Sequence, residues 1–298
     1  MVKIKIQAGL GNQMFQYALA RGLQEKRNKE IILDLSYYSL GGVKDGDTVR
    51  GYELDKFNIK EDFKKDFSFT PSKTTFLEKI IRRIKNESAF VFYDKYLNPK
   101  DGAYLIGFWQ SEKYFKDIEN IIRTEFTLKD KIEEREDSDL AKQFLNQILF
   151  SKNSISVNVR RGDYASNPKI RNHHGLLGVE YFIDAVKYIV NEKKLLKEET
   201  NVFIFSDDVE WCRENLDSLK DFGELVFVSK DIIATDSLYL ISKCKYNVIA
   251  NSSFSWWAAW LNNNPSKIVV APKSWMRAKI NTKDVIPKDW VRIENNFC

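Results

Sequence analysis

The stretch Val157-Asn158-Val159-Arg160-Arg161-Gly162-Asp163-Tyr164 begins as an apolar strand and stops at two arginines, a glycine and an aspartate. A strand that delivers guanidinium groups to its carboxyl end, followed by a residue free to turn sharply, is how an open α/β sheet presents cations to a phosphate-bearing ligand. Taken alone, the same residues also read as a surface turn whose arginines face water. The sequence around them separates the two readings. Strand patterns at 154–159, 201–206, 225–229, 246–250 and 267–271 alternate with helical patterns at 179–194, 208–219, 235–244 and 253–263. That alternation specifies an α/β fold with a parallel sheet covered on both faces and a ligand crevice beyond the carboxyl ends of its strands. Arg160 to Asp163, Ser206-Asp207-Asp208 and Asn251-Ser252-Ser253 all fall at such ends.

The amino-terminal half opens as a second βαβ unit, with a strand over 2–8, a turn at Gly9-Leu10-Gly11-Asn12-Gln13, a helix over 14–26 and a strand over 31–35. Gly9 and Gly11, with Asp34 closing the second strand, suggest a dinucleotide fingerprint. Met14 stands where that fingerprint needs a small residue for close helix packing, which weakens the NAD reading. What remains is either a backbone open to a ligand, with the Asn12 and Gln13 amides beside it, or a plain tight turn. Between 36 and 150 the pattern is less regular. It holds turns at Gly41-Gly42 and Asp45-Gly46-Asp47, a charged helix over 76–87, the aromatic segment 105–111, a helical run over 113–123 and a solvated, charged helix over 128–143 near a domain boundary. The length, 298 residues, suits two domains, 1–150 and 151–298.

Composition narrows the partners. The 47 basic residues against 42 acidic ones give a net charge of +5, too small and dispersed to point to nucleic acid but compatible with an anionic substrate or a membrane face. Cys212, Cys244 and Cys298 are widely spaced, so neither a disulfide framework nor a zinc site is suggested, and a reducing cytosol fits. Met1 to Ile6 alternates apolar and basic residues, unlike a secretory signal, and no segment approaches the roughly 20 apolar residues of a membrane span. The expected location is cytoplasmic, with the inner membrane face open as a peripheral contact.

Each candidate site residue has a structural reading beside its functional one. Arg160 is assigned to the ligand and Arg161 to bracing the fold, because a fork that stays cationic at any cellular pH suits a diphosphate. Asp163 orients an arginine or serves as a base. Adjacent carboxylates at Asp207-Asp208 point to opposite faces of an extended chain, which disfavours a metal site; capping of the next helix by Ser206 or Asp207 is the simpler role. Asn251-Ser252-Ser253-Phe254 starts a helix directly after a strand, offering either an anion cradle or an ordinary cap before core, and Trp256, Trp257 and Trp260 read as core. Thr235-Asp236 looks like a cap, with a contact to a purine as the alternative. His173 and His174 sit in a polar loop; His174 is a candidate proton acceptor, alongside Asp163 and Glu180.

Together, Gly9-Leu10-Gly11-Asn12-Gln13-Met14-Phe15-Gln16-Tyr17-Ala18, Gly107-Phe108-Trp109-Gln110-Ser111, Val159-Arg160-Arg161-Gly162-Asp163-Tyr164, Phe205-Ser206-Asp207-Asp208 and Asn251-Ser252-Ser253-Phe254-Ser255-Trp256-Trp257 resemble, in order, the α-1,2-fucosyltransferases of glycosyltransferase family 11. The resemblance implies a GT-B-like architecture of two Rossmann-like domains with a nucleotide-sugar cleft between them, 1–150 on the acceptor side and 151–298 binding the donor. It also implies GDP-fucose as donor, a galactoside hydroxyl of a glycan as acceptor, an inverting α-1,2 transfer without metal or other cofactor, and a place in surface polysaccharide or glycan synthesis. By the same resemblance Arg160 holds the diphosphate, Asn12 in the Gly11-Asn12-Gln13 segment reaches the donor, and Ser252, Ser253 and Phe254 help form the nucleotide site. The family usually has histidine two residues before the first arginine; Asn158 stands there in this chain.

Overall fold

The computed structural model describes residues 1–39, 41, 49–60, 62–68 and 87–298. The turn at Asp45-Gly46-Asp47 and residues 76–86 of the charged helix expected over 76–87 lie outside the described residues. Contacts divide the chain into two compact units, one of Met1–Thr127 with Ile280–Pro287, the other of Leu128–Lys279 with Lys288–Cys298. The break expected at 150 falls instead after Thr127. The helix Asp139–Phe150 buries Ala141, Phe144, Leu145 and Ile148, and that apolar face joins it to the second unit.

In the first unit, β1 (Val2–Lys5), β2 (Ile31–Asp34), β3 (Lys64–Asp66) and β4 (Tyr104–Leu105) form a parallel sheet in the order β3-β2-β1-β4. The first helix, Leu10–Arg27, starts four residues earlier than the sequence pattern indicates, with Gly9 as its cap, so Gly11, Asn12 and Gln13 are its first turn and not a loop. The helix is buried along most of its first half, and polar groups there are paired. Arg21 Nε lies 2.8 Å from Glu125 Oε1, and the Tyr17 hydroxyl donates to Glu125 Oε2 at 2.6 Å. Between β1 and the helix, Ala8 adopts φ 68°, a conformation costly for a residue with a Cβ.

In the second unit, β5 (Asn153–Val159), β6 (Thr200–Ser206), β7 (Glu224–Phe227), β8 (Tyr246–Val248), β9 (Val269–Pro272) and β10 (Val291–Ile293) are all parallel, in the order β10-β9-β8-β5-β6-β7. The chain runs outward from β5 through β6 and β7, returns to the other side of β5 at β8, and continues outward again. The reversal makes the gap beyond β5 and β8 the topological switch point, where open sheets of this kind bind ligands. Ile155, Val157 and Val159 share a core with Tyr181, Phe182 and Ala185 of the helix Val179–Lys193. On the opposite face of β5, Ser156 accepts from Asn247 Nδ2 at 2.8 Å, and Asn262 Nδ2 donates to Asn247 Oδ1 at 2.7 Å, a buried polar chain with its donors satisfied. Trp256, Trp257 and Trp260 are buried in the helix Ser253–Leu261, the core role expected of them. The edge strand β10 is absent from the sequence reading, because Val291-Arg292-Ile293 is too short to carry a pattern.

Candidate active site at the strand ends of the second unit

Register assembles the site. Val159 is paired with Ser206 across β5 and β6, so Arg160 emerges beside Asp207. Val157 is paired with Val248 across β5 and β8, so Arg160 also emerges beside Asn251. Arg160 hydrogen-bonds Asp163 through Nη2 and Asp207 through Nη1. Burial alone would depress its pKa, but the Asp207 and Asp163 carboxylates overcome that and hold it above its ordinary value. These contacts engage only part of the guanidinium's donor set, so the fork is oriented without being exhausted. Arg161 is the bracing arginine: its Nε lies 3.0 Å from Asp208 Oδ2, and its guanidinium sits 3.8 Å from the Trp211 ring centroid.

The acidic pair has roles that the sequence reading divided differently. Asp208, not Ser206 or Asp207, caps the helix Val209–Asn215, accepting from Trp211 N at 3.3 Å. Asp207 instead accepts from Arg161 N at 2.8 Å as well as from Arg160, and Ser206 Oγ accepts from Asp208 N at 2.9 Å. Gly162 is needed for this clamp, since a Cβ there would lie 2.5 Å from Asp207 Oδ2. Strand pairing was the missing signal, because only β6 beside β5 brings Asp207 to an arginine.

His173 and His174 are not in a loop but close the helix Pro168–His174. The His174 ring stacks on Tyr164 with centroids 4.7 Å apart, and its Nδ1 is 3.2 Å from the Tyr164 hydroxyl. Burial, reinforced by His173, pushes its pKa down to about 4, so it is neutral near pH 7 and a weak proton acceptor. Asn251 is buried and directs Nδ2 at the carbonyls of His174, Gly175 and Trp275, at 3.0, 3.4 and 3.2 Å, which ties three segments beneath the site. Ser252 caps the helix Ser253–Leu261 through Phe254 N at 3.3 Å, and Ser252, Ser253 and Phe254 are half-buried at that helix start. Asn158 is buried on the Ser156 face of β5.

Other candidates sit apart from this cluster or are engaged. Asp236 and Thr235 are not caps: Ile233 precedes the helix Ala234–Lys243 without a side-chain cap bond, and Asp236 is buried in an ion pair with Arg135. Glu180 is in the first turn of its helix, its Oε2 2.8 Å from where a Cβ on Gly178 would stand. In the first unit Gln13 is fully buried; its Nε2 donates to Ala8 O at 3.0 Å and Gly51 O at 2.8 Å, and its Oε1 accepts from Glu53 N at 3.0 Å. Asn12 Oδ1 accepts from Gln110 Nε2 at 2.7 Å, joining two of the segments that resemble the family.

A family model described as Glycosyl transferase family 11 matches residues 1–294. The chain belongs to that family. This family 11 chain is 36% identical over 311 residues to an alpha-1,2-colitosyltransferase of Escherichia coli, covering 99% of both. It is 31% identical to the O-antigen biosynthesis glycosyltransferase WbnK of Escherichia coli, over 97% of this chain and 99% of that one. A galactoside alpha-(1,2)-fucosyltransferase 1 of Lagothrix lagotricha is 32% identical over 53% of this chain and 42% of its own length. Among solved structures, the fucosyltransferase NodZ from Bradyrhizobium matches the family 11 chain with a TM-score of 0.51 at 13% identity, covering 87% of this chain and 92% of that one. NodZ co-crystallized with GDP matches with the same score, 0.51, at 14% identity. The shared fold is the GT-B-like α/β class, with a parallel sheet in each of two domains. No helix among the described residues is long and apolar enough to cross a membrane.

Proposed function

We propose that this chain transfers L-fucose from GDP-fucose to a galactoside hydroxyl in α-1,2 linkage, with inversion and without a metal, the second unit binding the donor and the first the acceptor. The observation that carries the reading is Arg160, oriented by Asp163 and Asp207 at the switch point, next to the helix start at Ser252 and Ser253. Negative charge grows on the departing diphosphate as the bond to the anomeric carbon breaks. A preorganised guanidinium, of a kind worth about 3 kcal/mol per donor, stabilises it, and the dipole of the helix start adds up to about 2 kcal/mol. Names carried by relatives, a galactoside alpha-(1,2)-fucosyltransferase and an O-antigen glycosyltransferase, support fucose as the sugar and a surface polysaccharide as the acceptor.

The similarity to a colitosyltransferase over nearly the whole chain favours a second donor, GDP-colitose. Colitose is fucose without its 3-hydroxyl, so the two differ by one hydrogen-bonding group. A site that bonds that hydroxyl rejects the deoxy sugar strongly, whereas an apolar site discriminates weakly. Incubation with each GDP-sugar and a galactoside acceptor, with chelator present, followed by NMR of the product, tests the reading. An α-1,2-fucosylated product formed with chelator supports it; colitose as the sole sugar transferred moves the assignment to the second donor.

A further inference from the structure

The edge strand β10 is parallel to β9, so the chain leaves it at the carboxyl ends of the strands, the end that carries Arg160. Residues 294–298 then cross that end as an arm. Asn295 exchanges bonds with Ser274, accepting from its N–H through Oδ1 at 2.8 Å and donating through Nδ2 to its carbonyl at 3.2 Å. Gly178 N donates to Asn296 O at 3.2 Å, Cys298 N donates to Leu176 O at 2.9 Å, and Phe297 bridges Leu177 antiparallel. The Phe297 ring lies directly against Gly175: a Cβ there would stand 2.2 Å from ring atom Cδ1, and the Gly175 φ of 82° is one that other residues rarely adopt.

What the ring presses on is the support of the strand-end site. The carbonyls of His174 and Gly175 accept from Asn251 Nδ2, and Asn251 is followed directly by Ser252, the cap of the helix Ser253–Leu261. Arg277 N and Ala278 N donate to His174 O and His173 O at 3.1 and 3.0 Å, so residues 173–178 are gripped between the loop after β9 and the arm. His174 stacks on Tyr164, whose hydroxyl lies 3.5 Å from Asn251 O, and the Arg160 guanidinium stands 5.4 Å from the Tyr164 ring centroid. Direct contacts thus lead from Phe297 to both groups assigned to the diphosphate. The arm itself is lightly held, with Glu294, Asn296 and Cys298 exposed and Phe297 half-buried against the core of the second unit. Segments with so little buried apolar surface open at low free energy.

We propose that residues 294–298 are a latch on the donor site and that Phe297 is its positioning residue. Seated on Gly175, the ring fixes the His174 and Gly175 carbonyls under Asn251 and so sets the Ser252 helix start and the Tyr164 ring beside Arg160. The proposal rests on the reading of this cluster as the diphosphate site. Displacements of about 1 Å in groups that position a substrate cost up to about 10²-fold in rate. The latch acts within the second unit alone.

The test uses the full chain with Phe297→Ala, Phe297→Tyr and, as a control, Leu195→Ala, which trims a half-buried side chain from the same core on the amino-terminal side of β6. Melting temperature, GDP affinity, and kcat and KM for transfer are measured, with NMR titration of His173 and His174, the chain's two histidines. Both alanine variants should melt lower than wild type. Phe297→Ala alone should weaken GDP binding, lower kcat/KM by up to about 10²-fold and let the His174 pKa rise from about 4 toward 6.5. Phe297→Tyr, which keeps the ring on Gly175, should behave as wild type. Wild-type GDP affinity and His174 titration in Phe297→Ala overturn the latch, as do equal losses in Leu195→Ala. A wild type that binds no GDP removes the donor reading and the latch with it, a result distinct from GDP binding that Phe297→Ala leaves intact.

Discussion

Arg160 Nη1 hydrogen-bonds Asp207 across the ends of β5 and β6, so an arginine and an aspartate separated by 46 intervening residues act as one unit at the sheet's ligand-binding end. Asp163 holds the other terminal nitrogen from the following helical turn. The pair positions the guanidinium; it is not its counter-ion alone.

Arg160→Ala therefore removes a charge that the site is arranged to aim. Loss of one preorganised donor corresponds to about 3 kcal/mol, or roughly a hundredfold in kcat/KM. The variant also leaves Asp163 and Asp207 without their shared cation, so its stability should fall below that of wild type. Steady-state transfer rates and urea midpoints at pH 7 check both outcomes.

Gly162→Ala should damage the clamp without touching a ligand. The added Cβ would stand 2.5 Å from Asp207 Oδ2 and 3.8 Å from Arg160 Nη1. The Asp207 carboxylate must shift, which loosens its hydrogen bonds to Arg160 Nη1 and to Arg161 N. GDP titration of the folded variant should show weakened binding, and unchanged affinity would count against the clamp.

His174 makes stability pH-dependent. Its folded pKa of about 4 lies below the unfolded value near 6.5, so between them the unfolded chain binds more protons. Its contribution is fully present above pH 6.5 and is lost as pH falls toward 4, by at most about 3 kcal/mol. Carboxyl groups titrate near the same window, so the measurement is a difference: the urea midpoint of wild type minus that of His174→Gln should shrink as pH falls from 6.5 to 4.

Asn251→Asp separates support from ligand contact. A carboxylate in place of the amide faces three backbone carbonyls instead of donating to them. Loss of those bonds plus a buried charge should lower stability by about 3 kcal/mol or more. Thermal denaturation without any nucleotide checks this; a melting temperature equal to wild type would overturn the supporting role.

Much of this was legible in the residues themselves. Alternating apolar strands and helical stretches after residue 150 specify a parallel sheet, because hydrogen-bonded strands buried on both faces need continuous apolar runs and crossover helices. The Arg160-Arg161 pair, the Ser252 cap and the buried tryptophans follow from the same local rules. Errors arose where long-range contacts decide. The helix Leu10–Arg27 takes Gly9 as its cap, and the buried Gln13 in its first turn is satisfied only by Gly51 and Glu53, far along the chain, and by Ala8 O. The domain break moved to Thr127 because the helix Asp139–Phe150 has an apolar face to bury.

By itself, then, the sequence determined that an apolar strand ends in a cationic turn and that the chain is a family 11 glycosyltransferase, since periodicity and ordered blocks of residues are properties of the linear chain. Only the tertiary structure decided which carboxylates hold Arg160 and that His174 is neutral. Hydrogen bonds and burial depend on distances between residues remote in sequence, and those distances exist only once the sheets have set their register.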